Sequence, residues 1–126
     1  MSVSSEMTLP SVTERFGHIG SMIHEIEQTL LGISQRELAD DRKRRLALER
    51  MLEIIGVASD HIPVELKAAE KDVDWQAIAA ISARLENTRD RIGADVLWTI
   101  SHDKLPSLKV FADRYLREHA AQSPSS

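Results

Sequence analysis

The chain has 126 residues, no cysteine, and 20 acidic against 16 basic side chains for a formal charge of −4. That length fits one ordinary domain with a single core, the lack of cysteine excludes disulfides, thiolate metal sites and a cysteine nucleophile, and the acidic balance excludes a polyanion-binding surface spread over the whole molecule. No stretch approaches the ~20 apolar residues of a membrane span, and the start from Met1 to Glu6 has neither the basic residues nor the apolar run of a signal peptide, so a soluble, cytoplasmic protein is expected.

Residues 1–10 and 120–126 have tail composition, leaving one domain over residues 11–119. With only 5 glycines and 4 prolines, long uninterrupted helices are the default. The first helix is predicted to begin at Ser11, where Ser11 and Glu14 have the spacing of a capping box. Its apolar residues Phe16, Ile19, Ile23, Ile26 and Leu30 recur at steps of three and four, a helix seam, and Gly32 is placed to close it. Ser34 and Glu37 form a second capping box for a short helix. Asp40 or Asp41 then caps a long helix with Leu48, Leu52, Ile55, Ala58 and Ile62 on one side, which Pro63 must end or kink.

A shorter segment from Val64 to Lys71 leads to Asp74, the expected cap of a helix through Trp75, Ile78, Ile81 and Leu85 to about Arg89. Gly93 marks a break, followed by Val96, Leu97, Trp98 and Ile100. Asp103 and Pro106 are read as the cap and first-turn proline that restart the chain as a final helix with Leu108, Phe111, Tyr115 and Leu116. No strand pattern occurs, so the expected fold is all-α, an up-and-down bundle of four to five helices.

Common catalytic motifs are absent: there is no glycine-rich phosphate loop, no Gly-x-Ser-x-Gly elbow and no His-Glu-x-x-His. The five histidines, His18, His24, His61, His102 and His119, never fall three or four apart, so no two share a helix face as metal ligands would. No metal site or cofactor is expected. Asp72 and Asp74 suit a helix start, Trp75 and Trp98 suit packing, and four consecutive basic residues, Arg42 to Arg45, spread around a helix rather than forming one patch.

Function enters through a resemblance. Leu48 to Gly56 with Val57 and Ala58 after it, Ile62 to Leu66, Val73 to Ala79, Leu97 to Ile100, and Asp103 to Pro106 follow one another in the order and spacing of the HepT-like HEPN family, over residues 11–118. The resemblance implies a helical protomer of a toxin–antitoxin ribonuclease that forms a homodimer, with two copies of an Arg-x-x-x-x-His motif facing one cleft where RNA is cut without metal. It also implies a tyrosine two residues beyond the histidine, modified with adenylate by a nucleotidyltransferase antitoxin. Counted without gaps from Trp75, the family arginine falls on Ser82, the histidine on Asn87 and the tyrosine on Arg89. Serine carries no positive charge and asparagine does not titrate, so neither fills the family role.

Three readings follow. In the first, the protein keeps fold, dimer and partner surface without catalysis, and Arg84, Arg89 and Arg91 contact RNA or a partner. The second is a working ribonuclease with His102 or His24 as replacement base and Arg84 and Arg89 as cations. The third is a plain helical interaction module without nucleic acid.

Overall fold

The computed structural model describes residues 11–87 and 92–120, and every regular element among them is helical. The first helix, α1 (Val12–Leu30), is capped as its sequence dictates: Ser11 Oγ accepts from the Glu14 amide at 3.1 Å while Glu14 accepts from the Ser11 amide at 2.8 Å. Its five seam residues are all buried, and Gly32 turns the chain away at φ +81°. The second capping box opens α2 (Gln35–Ala39), which buries Leu38. Asp41, rather than Asp40, caps α3 (Arg42–Asp60). Arg44 and Arg45 of the basic run serve this junction, Arg44 bonding Asp41 and the Thr29 carbonyl, Arg45 the Ala39 carbonyl.

Pro63 heads the short α4 (Val64–Ala69), and Asp74 caps α5 (Trp75–Asn87) by accepting from the Ala77 amide at 3.0 Å. The expected end of α5 at Arg89 lies outside the described residues, as do both tails up to Ser11 and beyond Ala120. Gly93 precedes α6 (Ala94–Thr99), and α7 (Leu105–Ala120) is the last helix among the described residues.

One expectation is corrected between α6 and α7. Asp103 does not cap a new helix. It lies inside a π-helical turn, Ile100–Lys104, which joins the two helices without a break, the Leu105 amide reaching back to the Ile100 carbonyl. The widened turn carries the chain into Pro106, which has no amide hydrogen to give the ladder, so the proline is tolerated without a stop.

Helices α1, α3, α5 and the α6–α7 rod pack in up-and-down fashion around one core. Antiparallel order is visible in pairs that run in opposite senses: Phe16 meets Tyr115 and Glu27 meets Lys109 across α1 and α7. Phe16 is fully buried, edge-on to Phe111 with centroids 5.1 Å apart. Trp75 is half-buried against the core, its indole N–H shared between the Lys67 and Glu70 carbonyls, which ties α5 to the end of α4. Of the apolar positions read from the sequence, Leu85, Val96, Trp98, Tyr115 and Leu116 are, like Trp75, half-buried at the edge of the core rather than fully buried.

Asp74 also receives the Lys104 ammonium at 3.0 Å, linking the start of α5 to the π turn. The Lys104 hydrogen bond first and the Ala77 amide second hold its carboxyl below the ordinary value of 3.8. A depressed folded pKa stabilises above the unfolded pKa and is lost as pH falls through the folded one. Asp74→Asn should therefore lower the urea midpoint at neutral pH, and the difference from wild type should shrink towards zero as the pH is taken below about 4, where the unfolded aspartate is protonated.

Candidate functional site

Ser82 and Asn87, two of the positions to which the family resemblance assigns chemistry, lie on α5, which packs against α3. Gly56 of α3 faces Ser82 of α5 so closely that a methyl group added at Gly56 would collide with Ser82 Cβ and Oγ. A glycine in mid-helix costs roughly 1 kcal/mol in propensity, and here the return is close approach of two helices. Ser82 is 1% exposed, and its hydroxyl has no hydrogen-bond partner among the described residues. Ser59, one turn on from Gly56, is likewise buried with an unpaired hydroxyl.

Ser82 thus occupies a packing position and presents no group to solvent. Asn87 is the last residue of α5, and Arg89 and Arg91 lie outside the described residues. Of the three candidate arginines only Arg84 is placed, exposed on the outward side of α5 together with Gln76, Ala79 and Ala80.

The replacement bases sit elsewhere. His102, in the π turn, stacks on Trp98 with centroids 4.1 Å apart, and its Nδ1 lies 3.0 Å from the Trp98 carbonyl. A carbonyl oxygen can only accept, so Nδ1 is the donor in this contact. His102 lines a cleft of about 400 Å³ with Glu27, Leu30, Ser101 and Pro106. His24 is exposed, 3.9 Å from Glu27, and lines a different groove with Gly20, Lys109 and Asp113. Neither groove includes Arg84 or Ser82. No group of three or more His, Asp or Glu is arranged to hold a metal ion among the described residues.

Two features escaped the sequence reading. Gly56 sits inside a helical pattern with no turn to make, which in a sequence signals close approach to another element. A groove of about 270 Å³ between α1 and α3 gathers Arg15, His18, Arg50 and Glu53 over Ile54 and Val57. Its only trace in the sequence is the three-residue spacing of Arg15 and His18, which shares a face.

The seam gives a direct test. Gly56→Ala should destabilise the protein by about 1–3 kcal/mol, the usual cost of overpacking. Adding Ser82→Gly should recover part of that loss in denaturant titrations, because it removes the atoms the new methyl strikes; equal stability of Gly56→Ala and wild type would refute the contact.

Comparison with known proteins agrees with the architecture. The family model described as HepT-like, ribonuclease HepT-like, matches residues 19–115. A protein named "Probable ribonuclease HepT" from Thermococcus cleftensis is 32% identical over 91 residues, which is 72% of this chain and 83% of that relative. No solved structure matches the chain.

Proposed function

The chain belongs to the HepT-like ribonuclease family, and from that premise we propose that it is a toxin–antitoxin type HEPN protein which has given up RNA cleavage and works as a non-catalytic dimeric binding partner. The observation that carries this reading is Ser82. At the position where the family resemblance puts the catalytic cation, this chain has a buried, uncharged side chain packed on Gly56. Asn87, at the position of the proton carrier, cannot titrate. In the family chemistry an imidazole moves protons near neutral pH and a guanidinium stabilises the charge that develops on phosphorus. Neither group stands at its place, and the two imidazoles weighed as substitutes line grooves that lack Arg84.

The dimer of this reading forms on the outward side of α5. Ala79 and Ala80 are small, exposed residues there, beside Arg84, and small side chains let a second helix approach closely. An RNA or a nucleotidyltransferase-like antitoxin then meets Arg84 of α5, with Arg89 and Arg91 following it in the sequence, rather than a reactive centre.

Purified protein should leave RNA intact, since loss of general acid–base help alone removes about 10²–10⁴ in rate. The comparison that decides it is wild type against Ser82→Arg with Asn87→His, followed by gel analysis of the RNA. Strong wild-type cleavage that disappears in His102→Ala or His24→Ala would overturn the reading in favour of an enzyme with replacement residues. For the dimer, sedimentation should give twice the 14.1 kDa protomer mass, and Ala80→Glu, which places a charge on the small-residue face, should return it to a monomer while preserving helicity.

A further inference from the structure

We propose that the groove between α1 and α3 is a binding site for a nucleotide phosphate, with Arg15 and Arg50 as the cations that hold it. The inference is independent of the reading of α5, because it involves neither that helix nor the dimer.

The groove is built by antiparallel packing. Arg44 near the start of α3 bonds the Thr29 carbonyl near the end of α1, so the first turns of α1 lie beside the second half of α3. That register brings Arg15 and His18 opposite Arg50, Glu53 and Val57, residues some thirty-five positions away in the chain. Arg15 is the informative member. It is half-buried, yet its guanidinium makes no hydrogen bond or ion pair among the described residues. The other half-buried arginines among the described residues are both engaged, Arg45 with the Ala39 carbonyl and Arg114 with Glu70. A guanidinium has five donors in a fixed fork matched to phosphate oxygens, and one left without a protein acceptor in a groove is set to take an external one.

The remaining groups fit the same ligand. Arg50 is 70% exposed at the opposite lip, and among the described residues its side chain pairs with Glu53 alone, at 3.4 Å, a weak surface pair that a phosphate can displace. His18, exposed on the face it shares with Arg15, adds a ring N–H donor. Two guanidinium groups face one carboxylate, so the groove favours an anion in a molecule whose overall charge is −4. Ile54, Val57 and Ala58 supply an apolar floor. Cationic walls over an apolar floor suit a phosphate carried on a ribose and base better than a free inorganic ion, which would have nothing to place on the floor.

The shared chemistry is a nucleoside phosphate, and its source is either a free nucleotide or the backbone of RNA. Fluorescence anisotropy with a labelled oligouridylate and calorimetry with AMP separate the two. Arg15→Gln and Arg50→Gln should each weaken binding by about tenfold, as expected for one charge-assisted contact. Each should also reduce the slope of log affinity against log salt by about 0.7 for a single strand. Glu53→Gln should tighten binding, whereas Arg117→Ala, an exposed arginine on α7, should leave it unchanged. Arg50→Gln lies on an exposed position and tests the site even if Arg15→Gln proves unstable by circular dichroism. Binding of AMP with these effects assigns the groove to free nucleotides, and binding of the oligonucleotide alone assigns it to RNA. Failure of both to bind the wild type, or binding indifferent to Arg15→Gln and Arg50→Gln, would overturn the proposal.

Discussion

The position of α5 depends on a contact between two small residues. Gly56 and Ser82 meet where no Cβ fits on the α3 side, and with that separation set, the rest of α5 is placed: Ile78 and Ile81 enter the core, while Ala79, Ala80 and Arg84 face outward. A larger residue at Gly56 would force the helices apart and open a gap along the whole seam, since protein interiors close-pack and a void forfeits contacts on every side of it. The same contact removes position 82 from solvent. A side chain there serves helix packing first, and any group longer than serine must find its way out along the Gly56 surface.

The histidines show why a chain with five imidazoles does not assemble a cluster of them. His61, His102 and His119 each place Nδ1 about one hydrogen bond from the carbonyl four residues earlier, at 2.9, 3.0 and 2.9 Å. Two of them also stack on the aromatic residue of that same turn, His102 on Trp98 and His119 on Tyr115. For His61 and His119 these are arrangements at helix ends, where carbonyls have lost their ladder partners and a ring N–H can supply one, while His102 does the same in the widened turn between α6 and α7. Each imidazole is thereby tied to its own helix. Convergence of charged groups arises instead between helices, in the groove where Arg15 of α1 faces Arg50 of α3.

The link between α6 and α7 illustrates how one rule can override another. Asp103 followed by Pro106 has the composition of a cap and a first turn, and in an isolated segment it would start a helix. Here the preceding helix buries Leu97, the turn itself buries Ile100, and the following helix buries Leu105 and Leu108, all against the same core. Keeping both apolar stripes in place favours a continuous rod, and a single wide turn accommodates the proline within it. Lys104 of that turn reaches Asp74 at the start of α5, so the irregular turn is also braced from outside.

Most helices, most of their caps and the inward side of each were legible in the residues alone. Ser11, Ser34 and Asp74 cap as their spacing requires, the choice of Asp41 over Asp40 is made by the structure, and the seam from Phe16 to Leu30 is buried in full, because capping and periodicity are settled within a few residues of chain. The family was legible for a related reason: short runs such as Leu48 to Gly56 keep their order along the chain. Tertiary structure alone decided that Ser82 is enclosed by Gly56, that Asp103 lies within a helical rod, and that Arg15 and Arg50 share a groove. Periodicity shows which side of a helix turns inward, but which residue of another helix lies opposite depends on crossing angle and axial offset. Those are set by side-chain packing between segments distant in sequence, which no local pattern encodes.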